Sequence, residues 1–363
     1  MSEAFEREAS PPRKERSCLH EKGPLFSPSV SAPFRSIPFP FPLFLLTWNK
    51  QKAPFQNSKK TIRIRVVAYD ARGHGETETN DDADLSAATQ AEDAAALWRY
   101  LFAEEIARGC PPKTVAVGHA MGGMACVRAA AEHDGYRPRP AGAGPAATCP
   151  GAGGGGLVGI ALVDVVLWHG GAAESAPHMM SVVSGRPPTF DSHAAAMRYA
   201  TSSGRCRNPE AVAVSFASMV REVTDERGTR WAWRTPLEPS KPHWAGWYDG
   251  LADCLLSPAL SGVARLLMFS SAPSGGRPLD RALEVARAQG KLQVLELPLA
   301  AFAVHEDEPA CVAGALRDFL EYNTRGKKGG GGGSGGGGAG AGGVLGEVSS
   351  SGGGSRTHFA DGS

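Results

Sequence analysis

Val115-Ala116-Val117-Gly118-His119-Ala120-Met121-Gly122-Gly123 joins a short apolar run to a turn flanked by glycines. The apolar residues of Thr114–Val117 predict a buried strand, and the small residues after the turn predict a helix that ends near His133. The glycines allow a sharp, strained turn that would push its central residue out above a sheet. That residue is Ala120, and its methyl group cannot act as a nucleophile.

Strands and helices alternate on both sides of this turn. Before it, the segment 62–69 predicts a strand that enters a buried sheet, and Ser86 is the expected N-cap of a helix. After it, the predicted strands are Leu157–Val163, Val263–Phe269 and Leu292–Leu297, and the predicted helices are Leu279–Ala288 and Ala310–Leu320. This order predicts an α/β fold with a mostly parallel sheet and helices on both faces. Helical patterns at Ala194–Tyr199 and Ala211–Val223 predict a helical cap over residues 168–250.

Glycine marks the domain boundaries. The chain has 363 residues and 46 glycines, of which 18 lie in 326–363 and seven in 141–156. We therefore expect an α/β domain over residues 61–325 with an insert at 137–156, followed by a disordered Gly/Ser-rich tail over 326–363. Residues 1–60 carry prolines and mixed charges without a period, and we expect them to be poorly ordered or foreign to the fold. The first strands of the domain would then be incomplete.

Composition excludes several classes of protein. The net charge of +1 gives no support for nucleic-acid binding or for a basic membrane surface. The sequence has no run of 18 apolar residues, so no transmembrane helix is expected, and no signal peptide is recognised. Seven scattered cysteines without a CxxC pair favour a reducing compartment over a disulfide framework or a zinc site. The expected location is the cytoplasm or the nucleus.

Several segments, taken in order, resemble the protein phosphatase methylesterases, a family of α/β-hydrolases. The most specific are Gly185-Arg186-Pro187-Pro188-Thr189-Phe190, Trp244-Ala245-Gly246-Trp247 and Ala303-Val304-His305-Glu306-Asp307, and the likeness runs from about residue 62 to 321. The resemblance implies an α/β-hydrolase fold and the family's reaction, which is hydrolysis of the methyl ester on the C-terminal leucine of the protein phosphatase 2A catalytic subunit. It implies no cofactor and no metal.

The resemblance also implies a catalytic triad of serine, aspartate and histidine. The acid position is Asp164, which is kept, whereas Ala120 stands at the nucleophile position and Phe302 at the base position. The family's glycine-rich oxyanion loop has no counterpart, because the residues that follow Phe41–Leu46 are Thr47-Trp48-Asn49-Lys50-Gln51. Of the oxyanion donors, only the backbone N–H of Met121 is expected to remain.

Other residues offer no clear substitute for the lost groups. His119 is expected to be a structural neighbour of the turn, and Cys126 a buried small side chain rather than a thiolate. The His305-Glu306-Asp307 run suggests a metal site, but a solvated loop or the start of a helix is favoured, since metal ligands converge from several elements.

Aromatic residues are dense in one segment. Trp231, Trp233, Trp244 and Trp247 fall within 17 residues, with Tyr248 beside them. Such residues pack a cap onto a core or anchor a protein partner, and the sequence leaves both interpretations open.

Three hypotheses about function follow. The first is a methylesterase homologue without catalytic activity, and the second is a non-catalytic binder of the phosphatase catalytic subunit. The third is a degenerate or mis-assembled paralogue that folds poorly, since missing strands would leave a sheet edge uncovered.

Overall fold

A six-stranded sheet forms the centre of the molecule. The structure is a computed structural model, and it describes residues 43–49, 63–133, 156–165, 167, 179–204, 206–226, 228–270, 281–297, 300 and 303–324. The strands of the sheet are β1 (Leu43–Asn49), β2 (Arg63–Tyr69), β3 (Lys113–His119), β4 (Gly156–Val163), β8 (Ala264–Phe269) and β9 (Gln293–Glu296). They lie in the order β2-β1-β3-β4-β8-β9.

Most of the sheet is parallel. β3, β4, β8 and β9 run in the same direction, whereas β1 is antiparallel to both of its neighbours, β2 and β3. The carboxyl ends of β3, β4 and β8 therefore meet at one edge, which is where ligands and catalytic groups gather in open α/β sheets. The α/β fold predicted from the alternation of strands and helices is confirmed.

Helices cover both faces of the sheet. They are α1 (Ala87–Leu101), α2 (Ala103–Ala107), α3 (Met121–Glu132), α7 (Trp244–Tyr248), α8 (Leu251–Leu256), α9 (Arg281–Ala288), α10 (Val304–Asp307) and α11 (Pro309–Thr324). Side chains alternate along the strands, so that Val115 and Val117 pack with Phe319 of α11 on one face while Ala116 packs with α1 and α3 on the other. Ser86 caps α1 as expected, because its side chain accepts a hydrogen bond from the backbone N–H of Thr89.

The cap is not purely helical. It contains a short helix α4 (179–184), then α5 (His193–Ser202) and α6 (Pro209–Met219), and a three-stranded sheet. That sheet has the order β5 (Thr189–Phe190), β7 (Gly228–Trp233), β6 (Val220–Asp225) and is antiparallel. The helix predicted over Ala211–Val223 was wrong beyond Met219, since the residues from Val220 onward pair with the strand that carries Trp231 and Trp233.

Hydrogen bonds tie the cap to α10. Asn208, the N-cap of α6, donates from its side chain to the carbonyl of Glu306 at 3.0 Å. The Asp307 carboxylate accepts from the backbone N–H of Arg207 at 2.6 Å and of Asn208 at 3.3 Å. The cap therefore cannot shift without moving the turn that leads into α11.

The N-terminal prediction needs correction. Residues 1–60 were expected to be poorly ordered or foreign to the fold, yet β1 lies within them and occupies a position between two other strands. The insert at 137–156 lies outside the described residues except for Gly156, which begins β4, and the tail 326–363 lies outside them entirely.

Two further expectations about the chain bear on its cysteines and its helices. Cys126, Cys206, Cys254 and Cys311 carry free thiols, whereas Cys110 is part of a disulfide. In the part of the chain that the structure describes, every helix is too short or too polar to cross a bilayer.

Candidate active site

The turn between β3 and α3 has a strained backbone at its centre. Ala120 has φ 45° and ψ −113°, a conformation that L-residues rarely adopt and that costs about 1–3 kcal/mol. Its N–H donates to the carbonyl of Val163 at 2.9 Å, and its own carbonyl accepts from Gly123 at 3.0 Å. The predicted strand-turn-helix is therefore present, and these bonds hold the turn in place.

The two flanking glycines are required by close packing. A Cβ at Gly118 would lie 2.4 Å from the backbone carbonyl of Gly122, and one at Gly123 would lie 2.3 Å from the side chain of Val165. The first contact is with backbone, so α3 can pack this closely against β3 only with glycine at position 118, whereas a Cβ at position 123 would displace the side chain of Val165.

A methyl group stands where a nucleophile would be. The side chain of Ala120 is buried, with the residue 3% exposed, and it carries no group able to attack a carbonyl. The helix α3 begins at Met121, so the backbone N–H of that residue lies at the helix N-terminus, where amides lack intrahelical partners. Its role as an oxyanion donor remains a prediction.

The kept acid lies at the end of β4. Asp164 also has a positive φ of 48°, and its N–H donates to the carbonyl of Met268 at 2.9 Å. Its carboxylate accepts from the backbone N–H of Val304 at 3.1 Å and of Ser270 at 3.3 Å. Burial raises the pKa of Asp164 to about 7, against the lowering effect of these two amides.

Two histidines lie next to this acid. His119 Nε2 is 3.8 Å from Asp164 Oδ2, and the rings of His119 and His305 have centroids 4.8 Å apart. Burial lowers the pKa of His305 to about 4, so it is neutral at pH 7. Of the two interpretations favoured for His305-Glu306-Asp307, the start of a helix is correct, because the run belongs to the one-turn helix α10. The run is not solvated, since Glu306 and both ring nitrogens of His305 are buried. The sequence contained no pattern that revealed this burial.

The base position itself lies outside the described residues. Of the residues that follow Phe302, Ala303 is buried and the N–H of Val304 reaches the carboxylate of Asp164. The chain therefore passes the acid two residues after position 302, and the assignment of Phe302 to the base position stays a prediction.

The direction of β1 bears on the missing oxyanion loop. Leu43 pairs with Gly118 next to the turn, whereas Trp48 pairs with Lys113 at the opposite end of β3. β1 therefore ends at the edge of the sheet remote from Ala120. Residues 47–49, where the oxyanion loop implied by the resemblance is missing, are part of this strand.

The other candidate residues are structural. Cys126 is fully buried in the core, and burial strongly raises the pKa of its thiol, as expected for a small apolar side chain. Among the residues that the structure describes, no group of His, Cys, Asp and Glu is placed to hold a metal ion.

The aromatic segment divides into two parts. Trp244, Trp247 and Tyr248 are buried in the main core, where Trp247 Nε1 donates to the carbonyl of Leu85 at 2.7 Å. Trp231 and Trp233 lie on β7 of the cap and stay partly exposed. Packing in the main core therefore accounts for the first group, whereas the second group packs within the cap and keeps part of each ring exposed.

Comparisons with known proteins agree with this geometry. The alpha/beta hydrolase family model matches residues 31–313. The probable protein phosphatase methylesterase 1 of Caenorhabditis elegans is 33% identical over 76% of this chain and 65% of its own length. Protein phosphatase methylesterase 1 of Mus musculus is 30% identical over 71% of this chain and 69% of its own length. The chain thus spans about two thirds of these relatives.

A solved structure of E-2-(acetamidomethylene)succinate hydrolase is also similar. It is 21% identical, covers 73% of this chain and 83% of its own, and has a TM-score of 0.46.

Proposed function

Because the chain belongs to the alpha/beta hydrolase family and, within it, to the protein phosphatase methylesterases, we propose that it is a methylesterase homologue without ester hydrolysis. One observation carries the proposal. The turn that presents the nucleophile in this fold is intact down to its strained backbone, and it presents the methyl group of Ala120. The substrate class that the family resemblance implies is the C-terminal methyl ester of the protein phosphatase 2A catalytic subunit.

The size of the expected loss supports inactivity. Removal of the serine or the histidine of such a triad lowers kcat by roughly 10⁶-fold, which is about 8 kcal/mol of transition-state stabilisation. Loss of one oxyanion donor removes about another 10²–10³-fold. His119 does not replace the base, since its ring lies against Asp164 and His305, and the turn holds no hydroxyl for it to activate.

Restoration of the two missing groups tests this assignment. We expect no methyl-ester release above buffer by the wild-type chain, by Ala120→Ser or by Phe302→His. The double variant Ala120→Ser/Phe302→His should release methanol measurably, because Asp164 is already bonded near the base position. Its rate should stay about 10²–10³-fold below that of an intact methylesterase, since one oxyanion donor is still missing.

Two outcomes would contradict the assignment. Activity of Ala120→Ser alone would show that the chain already has a base and that Phe302 does not stand in its place. Release by the wild-type chain at an ordinary rate would reject the proposal as a whole.

A second candidate is a binder of the phosphatase catalytic subunit. The observation that favours it is the partial exposure of Trp231 and Trp233 on the cap, since aromatic side chains supply much of the energy of protein interfaces. The ring of His193 lies against that of Trp231, tilted by 58° with centroids 4.7 Å apart, and this contact limits the movement of the Trp231 side chain. Binding of this kind requires neither a nucleophile nor a base.

A pulldown separates the second candidate from the first. The binder retains the methylated catalytic subunit without releasing methanol, and Trp231→Ala weakens this retention by tenfold or more if the ring is a central contact. Tyr100→Ala is the matched control, because Tyr100 is 46% exposed on α1 outside the cap. Equal retention by all three chains, or none by the wild type, rejects the cap as the binding surface.

A further inference from the structure

A small cavity lies between the cap and α10. Its volume is about 40 Å³, which is room for roughly three water molecules. Glu306 of α10 borders it on one side, and Ser215 and Phe216 of α6 border it on the other. Neither Ala120 nor Asp164 lines it, so this space is separate from the site described above.

The backbone of α10 is tied to the cap beside this cavity. The carbonyl of Glu306 accepts from the side chain of Asn208, and the carboxylate of Asp307 accepts from the backbone N–H of Arg207. These bonds hold the start of α6 on α10, so a change in the charge of Glu306 acts directly at the contact between the two elements.

Glu306 carries the buried carboxyl group of this contact. The residue is 6% exposed, and within the described part of the chain its Oε1 atom has no hydrogen-bond partner. Ser215 and Cys206 lie close to this carboxyl, but each donates its hydrogen to a backbone carbonyl. Ser215 donates to Ala211 at 2.8 Å, and Cys206 donates to Asn208 at 3.5 Å. A negative charge on Glu306 therefore receives little stabilisation from these two groups.

Burial and a like charge both favour the neutral form of this carboxyl. Burial raises the pKa of Glu306 to about 7, and the charge of the neighbouring Asp307 acts in the same direction. Ser215 and Cys206 act in the opposite direction without cancelling this rise. The contact between α6 and α10 is therefore most stable when Glu306 is protonated.

The other charged or titratable groups around the cavity do not reverse this preference. His305 is neutral at pH 7, because burial lowers its pKa to about 4. The side chain of Arg207 is exposed to solvent. Arg186 lines the cavity, but its guanidinium lies over the ring of Trp233, with its carbon 4.1 Å from the ring centroid. Burial of Glu306 thus outweighs any attraction from these cations.

We propose that Glu306 is a pH-sensitive latch, whose protonated carboxyl keeps α6 docked on α10 and whose ionisation loosens that contact and admits water to the cavity. A glutamate in water has a pKa of 4.5, against about 7 in the docked contact, so the docked state holds a proton that the open state releases. Between pH 4.5 and pH 7 the contact therefore weakens as the pH rises. The proposal is independent of ester hydrolysis, since it uses none of the residues at the turn or at the end of β4.

Hydrogen exchange of the full chain between pH 5 and pH 8 tests the latch. We expect the protection factors of the α6 amides, corrected for the intrinsic exchange rate at each pH, to fall by up to about 10²-fold, the ratio that follows from the two pKa values. Glu306→Gln keeps a neutral side chain at every pH, so it should remove this fall. The amides of α3 report on the core and should show the same pH dependence in this variant as in the wild type.

Glu222→Gln is the matched control. Glu222 is exposed on β6 of the same cap, so this variant makes the same change of charge away from the cavity and should keep the fall. Protection of α6 that is constant with pH in the wild type, or a fall that survives in Glu306→Gln, would overturn the proposal. A fall that disappears in Glu222→Gln as well would assign the effect to net charge rather than to the latch.

The thiol of Cys206 provides a second test if circular dichroism shows that Glu306→Gln does not fold. Cys206 lines the cavity and is 7% exposed, so a reagent reaches its thiol when the contact opens. In the wild-type chain, its rate of labelling by methyl methanethiosulfonate, divided by that of a peptide of the same sequence, should rise by up to about 10²-fold from pH 5 to pH 8. A ratio that is constant with pH would reject the latch.

Discussion

At the scale of single residues, Ala120 separates the requirements of the fold from those of catalysis. Its positive φ is set by the bond to Val163 and by the close approach of α3 to β3, and both persist without a hydroxyl. The strain at this position of about 1–3 kcal/mol is therefore a property of the packing. The strained turn alone does not identify an active hydrolase.

Asp164 provides a prediction about pH. The pKa of Asp164 is about 7 in the folded chain, whereas an aspartate in the unfolded chain has the ordinary value of 3.8. Between pH 4 and pH 7 the folded state therefore binds more protons than the unfolded state. Stability from this group is thus present at low pH and lost as the pH rises towards 7. Asp164→Asn should remove that loss. The free energy of unfolding of the variant minus that of the wild type should therefore increase from pH 4 to pH 8, by at most about 4 kcal/mol.

Urea unfolding of both chains at several pH values measures this difference. Taking the difference between the two chains cancels the contributions of other buried groups to the pH dependence. One such group is His305, whose lowered pKa makes the free energy of unfolding rise with pH between about 4 and 6.5. The amides of Val304 and Ser270 favour the ionised carboxylate, and this effect is already contained in the pKa of about 7. A gap between the two chains that is constant with pH would show that Asp164 titrates normally.

At the scale of elements, the contact between β3 and α3 fixes the turn. Gly118→Ala places a Cβ 2.4 Å from the backbone of Gly122, so the helix must move away from the strand. We expect a loss of about 2 kcal/mol or more in the free energy of unfolding, as overpacking of a rigid backbone contact gives. Urea denaturation measures it.

Gly246→Ala is the matched control for this change. Gly246 lies within α7, and a Cβ there meets nothing within 4 Å. Alanine should therefore be neutral or stabilising by up to about 1 kcal/mol. If both substitutions have the same effect, the close approach of α3 is not what requires glycine at position 118.

Elements with strong local signals were predictable from the sequence. The helix α1 follows its N-cap Ser86, and β4 ends directly before Asp164, because a capping hydroxyl and a run of apolar residues determine these elements locally. The small sheet of the cap was missed, since Val220–Asp225 takes its structure from pairing with β7 across a tight turn. Tertiary pairing of this kind overrides local propensity.

The candidate site was predictable to a similar extent. Ala120 and Asp164 lie where the pattern of strand ends placed them, because parallel strands bring their carboxyl ends together. The burial of His305 against His119 was not predictable, since it depends on how α10 packs onto the sheet. The direction of β1 was equally hidden, as an apolar strand has the same pattern in either direction.

At the scale of the whole molecule, β1 holds the sheet together. It pairs with β2 on one side and with β3 on the other, so its loss would leave β2 without a partner and β3 as an uncovered edge strand. Removal of residues 1–62 should therefore abolish cooperative thermal unfolding, whereas removal of residues 1–42, which leaves β1 in place, should preserve it. Calorimetry of the two shortened chains and the full chain measures this.

The result also decides between two views of the N-terminal segment. If the chain that starts at residue 63 melts as sharply as the full chain, β1 does not contribute to the fold and residues 1–60 are foreign to it. If all three chains melt broadly, the hypothesis of a poorly folding paralogue is favoured.

The central claim is that this member of the methylesterase family forms no acyl-enzyme. Stopped-flow mixing of the full chain with an activated p-nitrophenyl ester tests it most directly, because an active nucleophile releases one equivalent of p-nitrophenolate in a burst before turnover. With Ala120 at the turn, we predict no burst and no release above the buffer rate. A burst close to one equivalent of chain would contradict the account.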